Sequence, residues 1–357
     1  MLTDKTTQSA QTSWRRYLPW INLGLTVTLI IAGLWYLSAR ISLASLAEVL
    51  TSASVLLVAL AAVTMIITIL AKAWRWQLMF PYERPPISLS AAFWATALGQ
   101  YVNMVVPFLR LGEVARLYAL NQEAGTSPGR AFGTLVVEKT LDLIFFGLTI
   151  IFILPFVILP DFVDRPGVLL VLLPLIMMLA LYLLAFRTER VIQIWRHIIG
   201  PLPTRAQALL MRLAVNGLEG LAALRDRRLS LLMLLISLLI AILSILLPYV
   251  VFLALDLPLT FIDAALVHIV ITIAIVPPST PAKLGVLNGA AALTLWQLGI
   301  NDEAQIAGYA ILLYLVVIIP QVLLGLIAAS RTKWRWQTTI DPVITPAAPN
   351  ESEQLRP

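Results

Sequence analysis

The segment Gln100-Tyr101-Val102-Asn103-Met104-Val105-Val106-Pro107-Phe108-Leu109-Arg110-Leu111-Gly112-Glu113-Val114-Ala115-Arg116 lies inside the long apolar stretch Ser88–Leu120 and interrupts it. Proline removes a backbone donor and breaks a helix. Gly112 permits a sharp turn or a close backbone approach. A second apolar stretch, Asp263–Ile300, is interrupted in the same way by Pro277 and by Pro278-Ser279-Thr280-Pro281-Ala282-Lys283-Leu284-Gly285. Both breaks run proline, basic residue, Leu, Gly, then an apolar helix. The basic-Leu-Gly unit Arg110-Leu111-Gly112 thus recurs as Lys283-Leu284-Gly285.

The rest of the chain identifies the solvent of these breaks. Of 357 residues, 60% are apolar and 12% charged, against about 25% charged in a soluble domain. Mean hydropathy is +0.90. This excludes a soluble enzyme, a nucleic-acid-binding domain and a disordered scaffold, and it predicts an all-α integral membrane protein. A spanning helix needs about 20 mostly apolar residues. Six stretches qualify: Trp20–Ser38, Ser54–Ala71, Thr140–Leu159, Val168–Phe186, Leu229–Leu255 and Ala304–Ser330. The expected architecture is therefore about six full spans plus two broken or re-entrant hairpins. The run that begins at Trp20 has no cleavage site of small residues and reads as an uncleaved first span.

Lys and Arg mark the cytoplasmic side. Residues 1–19, 72–87, 108–130, 187–228 and 330–357 together carry 21 of them, and the connections 39–53 and 160–167 carry 2. Both termini are then cytoplasmic, and the two broken stretches start from opposite faces. Interrupted hydrophobic segments at matching places in two halves point to an inverted repeat with a site near the midplane. The predicted organisation is a cytoplasmic segment at 1–19, a transmembrane domain at 20–330 and a disordered cytoplasmic tail at 331–357. Within 187–228, Leu210, Ala214, Gly217, Leu221 and Leu224 share a helical face. This predicts an amphipathic helix lying at the inner surface or packed on the bundle.

The breaks suit an anion. A helix that starts after a break presents free N–H groups and a partial positive charge, and Arg110 or Lys283 beside it suits phosphate or carboxylate. Charges at bilayer depth cost roughly 2.5–3.5 kcal/mol each on insertion scales, so they tend to be functional. Candidate substrate-binding residues are Asn103, Arg110, Glu113, Arg116, Glu138, Lys139, Asp142 and Lys283. Pro107, Gly112, Pro278, Pro281 and Gly285 form the structural breaks. Glu113 and Arg116, at i and i+3, can pair on one helix face. Glu138 and Asp142, at i and i+4, share a face that can meet Arg110 and Arg116, while Lys139 points about 100° away. His268 reads as a satisfied interior histidine, with a proton carrier as the alternative. Trp74-Arg75-Trp76-Gln77 and its repeat Trp334-Arg335-Trp336-Gln337 read as interfacial anchors. There is no cysteine, and His197 and His268 are too few and too distant for a His-based metal centre. No metal and no cofactor is expected.

Arg75-Trp76-x-Leu78, Asn103-x-x-x-Pro107-x-x-Arg110-x-Gly112-Glu113-x-x-Arg116, Ala131 through Glu138-Lys139-x-x-Asp142, and Pro278-x-x-Pro281-x-x-Leu284-Gly285 together resemble the lysylphosphatidylglycerol synthase transmembrane region, or flippase-like domain, over roughly residues 15–330. In larger members this domain precedes an aminoacyltransferase domain that makes lysyl-phosphatidylglycerol, and the membrane part is thought to move the lipid across the bilayer. Here a free-standing member without that domain is expected. The family pattern usually has Pro-Gly-Gly-Leu-Gly at the second break, with a glutamate three residues on. This chain has Pro281-Ala282-Lys283-Leu284-Gly285 and then Asn288, and it has Lys139 in place of the usual Arg.

The resemblance implies non-enzymatic transbilayer translocation of an anionic or modified phospholipid or a polyprenyl-phosphate lipid, in a bacterial or archaeal plasma membrane. A small-anion permease and a non-catalytic accessory subunit of a lipid-modifying system are the alternatives. Membrane lipids are the expected partners, with a lipid-modifying enzyme or a second copy of the chain as further candidates. No nucleic acid is expected.

Overall fold

The computed structural model describes residues 42–84, 86–106, 111–124, 126, 128–156, 186–201, 203–219, 221–276 and 280–332, with single positions between 172 and 184. The expected span Trp20–Ser38, most of Val168–Phe186, the motif at 334–337 and the tail lie outside the described residues, as do Pro107, Arg110 and Pro278. Among the described residues there are helices and short 3-10 turns and no strand. In chain order the helices are α1 Leu43–Ser52, α2 Val55–Leu78, α3 Leu89–Val105, α4 Leu111–Ala124, α5 Pro128–Ile153, α6 Thr188–Ile199, α7 Thr204–Glu219, α8 Arg227–Ala254, α9 Phe261–Ala274, α10 Val286–Gln297 and α11 Glu303–Arg331.

Several starts are fixed locally. Ser88, Asp226 and Asp302 accept backbone N–H bonds as N-caps of α3, α8 and α11, and Thr260 and Asp263 form a capping box on α9. Helices α2, α8 and α11 are long and apolar enough to cross a membrane, at roughly 36–44 Å from the rise per residue. The hairpin arms α3, α4, α9 and α10 reach only roughly 18–26 Å, less than the roughly 30 Å hydrocarbon core. Leu231, Leu235, Leu238 and Ile242 form an exposed stripe on α8 at helical spacing. In lipid such a stripe needs no protein partner.

The element order repeats. Helices α2, α3, α4 and α5 begin at 55, 89, 111 and 128, and α8, α9, α10 and α11 begin at 227, 261, 286 and 303. The offset between copies is identical for the first two pairs. It lengthens by only three positions for the last two. The copies are inverted, because α2 and α8 pack antiparallel. Ser54 N donates to Ala254 O at 2.9 Å at one end, and Arg75 Nη1 donates to Ser237 Oγ at 2.9 Å towards the other.

Three boundaries differ from the sequence reading. Helix α5 starts at Pro128, twelve residues before the expected Thr140, so Glu138 and Lys139 lie within it and their charge is met by α4. Helix α2 runs seven residues past Ala71 to Leu78, so Lys72, Arg75 and Trp76 belong to the span and not to a loop. Packing supplies what average hydropathy lacks there, because Ala73, Arg75 and Trp76 are buried. Segment 187–228 forms two helices, α6 and α7, with Trp195 Nε1 donating to Leu210 O at 3.3 Å. Helix α7 packs on α5 and ends at Glu219, so Leu221 and Leu224 are buried beyond its end and do not extend its face.

Candidate functional site

The first hairpin closes backbone to backbone. Asn103 Oδ1 accepts from Gly112 N at 2.8 Å, which satisfies one of the orphan donors at the start of α4. A Cβ at Gly112 would stand 2.0 Å from Gly99 O and 2.4 Å from Asn103 Cγ. Only glycine therefore lets α3 and α4 approach this closely. Arg116 Cβ lies by Gly99, so the arms are antiparallel.

This approach presents α4 to α5. Glu113 Oε1 lies 2.8 Å from Lys139 Nζ, and Arg116 Nη1 lies 2.8 Å from Glu138 Oε2. The i, i+3 pairing of Glu113 with Arg116 expected from sequence is replaced by two cross-helix pairs. Each of the two finds its counter-charge on the neighbouring helix and not on its own turn. Nor does Lys139 point away from this interface.

Arg75 and Trp76 are not interfacial anchors. They are 1% and 0% exposed. Trp76 Nε1 donates to Thr134 Oγ1 at 3.0 Å, and the Arg116 guanidinium sits 3.7 Å from a Trp76 ring centroid. Arg75 Nη1 donates to Ser237 Oγ at 2.9 Å, and Nη2 pairs with Asp142. One face of α5 thus carries Thr134, Glu138 and Asp142 at four-residue steps, and each holds one group from α2 or α4. Glu138 and Asp142 end on separate arginines.

Beyond Asp142 this seam opens into a cavity of ≈ 360 Å³. Its polar lining includes Thr68, Lys72, Arg75, Asp142, Ser237, Ser244, His268 and Lys283, among apolar residues such as Met65, Phe145, Ile240, Leu313 and Val317. Met65, Ile240 and Val317 lie at the middle of α2, α8 and α11, so the cavity is at mid-span. The repeat runs through it. By the offset that relates α2 to α8, Met65 corresponds to Ser237, Thr68 to Ile240, Lys72 to Ser244 and Arg75 to Leu247, and all eight line the cavity. The internal two-fold therefore passes near the cavity, but the charge is asymmetric.

The second break supplies the rest. Pro281–Lys283 forms a 3-10 turn. Ala282 and Lys283 have φ 55° and 58°, and Gly285 has φ 80°. Left-handed backbone at two successive non-glycine residues costs about 1–3 kcal/mol each and is concentrated at functional sites. Helix α10 starts immediately after, with no side-chain cap bond. Lys283 and, from the first turn of α10, Leu287 both line the cavity. Among the described residues neither Lys72 nor Lys283 forms an ion pair. The His268 ring lies edge-on to Phe146 at 6.3 Å.

Asn103, Glu113, Arg116, Glu138 and Lys139 thus lie in the seam, Asp142 at its junction with the cavity, and Lys283 in the cavity itself. Gly112, Pro281 and Gly285 shape the two breaks. Lys72, Arg75 and Ser237 escape the sequence reading. The available signal is the helical spacing of positions 65, 68, 72 and 75, repeated at 237, 240, 244 and 247.

The family model of the lysylphosphatidylglycerol synthase transmembrane region matches residues 21–325. The chain belongs to this family. The match spans both hairpins, the seam and the cavity, and the family suggests a membrane-lipid-related role. No curated protein and no solved structure matches the chain.

Proposed function

We propose that this family member moves an anionic lipid across the bilayer, with its headgroup passing through the mid-span cavity. One observation carries the reading. Matching positions of two inverted repeats line a single cavity, which is also lined by Lys72, Lys283 and Leu287 from the first turn of α10. Inverted repeats with broken helices at the midplane are the architecture of alternating access, in which one repeat rocks against the other around a fixed site. The two hairpins would then serve as opposite gates. The apolar lining leaves the acyl or prenyl chains in lipid while the headgroup crosses. No bond is made or broken, so the reading is of a carrier and not an enzyme.

The test is reconstitution of the full chain in vesicles containing a lipid labelled with nitrobenzoxadiazole (NBD), followed by dithionite quenching. NBD-phosphatidylglycerol or an NBD-polyprenyl phosphate is expected to reach the protected leaflet faster than in protein-free vesicles, and Lys283→Gln to slow it. Equal rates for every lipid with and without protein would refute translocation. Uptake of inorganic phosphate that ignores lipid composition would favour a small-anion permease instead.

A further inference from the structure

The cavity's charge balance says more about the headgroup. Among the described residues its lining contains three basic side chains, Lys72, Arg75 and Lys283, and one carboxylate, Asp142. The described lining thus offers two basic groups beyond the one its carboxylate holds, and a bound anion favours their charged forms. Asp142 is already paired with Arg75. Lys72 and Lys283 line the same cavity, and no carboxylate among the described residues forms an ion pair with either. Buried cations without partners are costly in a medium of low dielectric. The uncapped start of α10 adds partial positive charge beside Lys283.

We infer that the translocated headgroup is a phosphomonoester carried as its dianion, and not a phosphodiester or an aminoacylated lipid. This rests on the translocation reading above. A phosphomonoester carries about −1.5 to −2 charges at neutral pH and offers three strong acceptor oxygens. Two such charges match the two lysines, and the phosphate oxygens can accept from both Lys72 and Lys283. A phosphodiester supplies only one charge. An aminoacyl or ethanolamine headgroup brings an ammonium, and the one lining carboxylate is already taken by Arg75. At ≈ 360 Å³ the cavity is at the small end of ligand sites, which run roughly 300–1,000 Å³. A compact terminal phosphate suits that volume better than a lysylated glycerol. Phosphatidic acid and a polyprenyl phosphate share this headgroup chemistry.

The experiment uses the reconstituted full chain and four NBD probes: phosphatidic acid, a polyprenyl phosphate, phosphatidylmethanol and lysyl-phosphatidylglycerol. Phosphatidylmethanol differs from phosphatidic acid by one methyl ester, which removes one charge at nearly constant size. At least one monoester is expected to move about tenfold faster than phosphatidylmethanol, well within what one extra charge is worth in a low-dielectric site. The faster of the two monoesters identifies the source of the headgroup. Lys72→Gln and Lys283→Gln should each bring that ratio close to one, and Lys72→Arg and Lys283→Arg should keep it. Thermal unfolding of each variant in detergent checks that the fold is intact. Phosphatidylmethanol moving as fast as both monoesters, or undiminished selectivity in both Gln variants, would overturn the dianion assignment while leaving translocation standing. No probe moving above the protein-free rate would overturn translocation itself.

Discussion

The Arg116–Glu138 pair invites a direct test, because both side chains are buried and neither lines the cavity. Their side chains are 5% and 4% exposed. Glu138→Gln leaves the guanidinium with no counter-charge. Arg116 Nε and Nη2 already lack hydrogen-bond partners, so no second acceptor takes over. Breaking one side of a buried pair costs about 3–5 kcal/mol. The Trp76 face remains over the cation, and a desolvated cation–π contact is worth about 2 kcal/mol, so the lower end, about 3 kcal/mol, is expected. Arg116→Leu should cost about as much, because it strands the carboxylate. The double variant Arg116→Leu/Glu138→Leu removes both charges. Apolar replacement of a buried pair is neutral or stabilising by about 1–4 kcal/mol. Set against the lost contact with Trp76, the double variant should lie within about 1 kcal/mol of the native chain. The cycle would then show coupling above the usual roughly 0.5–3 kcal/mol. Denaturant unfolding in detergent micelles measures it, and the double variant should still move the NBD lipid. A Glu138→Gln variant within about 1 kcal/mol of native, or a double variant less stable than both singles, would refute the reasoning.

Other outcomes follow from the same geometry. Gly112→Ala drives a Cβ into Gly99 O. Overpacking costs about 1–3 kcal/mol and the Asn103 bond about 1 kcal/mol, so a clear fall in the unfolding midpoint is expected. Gly289→Ala is the contrasting case: nothing lies within 4 Å of a Cβ there, and a helical Gly→Ala change should stabilise by about 0.5–1 kcal/mol. Ser237→Ala deprives buried Arg75 of an acceptor and should cost about 1–3 kcal/mol, read in the same unfolding assay. The inverted repeat puts the ends of α2 and α8 on opposite faces. The chain has no native cysteine, so Tyr82→Cys and Pro258→Cys can be labelled singly. A membrane-impermeant maleimide on sealed, oriented vesicles should reach one of them and require lysis for the other. Labelling of both from one side would contradict the antiparallel packing.

The hairpins and their repeat are legible because their signals are local. Pro107, Gly112, Pro281 and Gly285 interrupt apolar runs by backbone chemistry alone, and a recurring basic-Leu-Gly unit can be found by inspection. The Arg116–Glu138 contact is also within reach, since a charged face on α5 needs charged company. Arg75 and Trp76 read as anchors because a Trp-Arg-Trp string at the end of an apolar run has the composition of a membrane interface. Their partners are 67 and 162 residues from Arg75, and 58 from Trp76. No local pattern carries such separations.

The sequence by itself determined that this is a helical membrane protein, that two of its apolar stretches are broken, and that the breaks share one motif. Transfer free energy and backbone conformational limits are properties of successive residues, so they can be read along the chain. Only the tertiary structure decided which charges cancel and which remain. Arg75, Arg116 and Lys139 are each held by a carboxylate, whereas Lys72 and Lys283 line a common cavity and form no ion pair among the described residues. Ion pairing depends on how helices are rotated and crossed against each other, which is fixed by packing between residues distant in sequence.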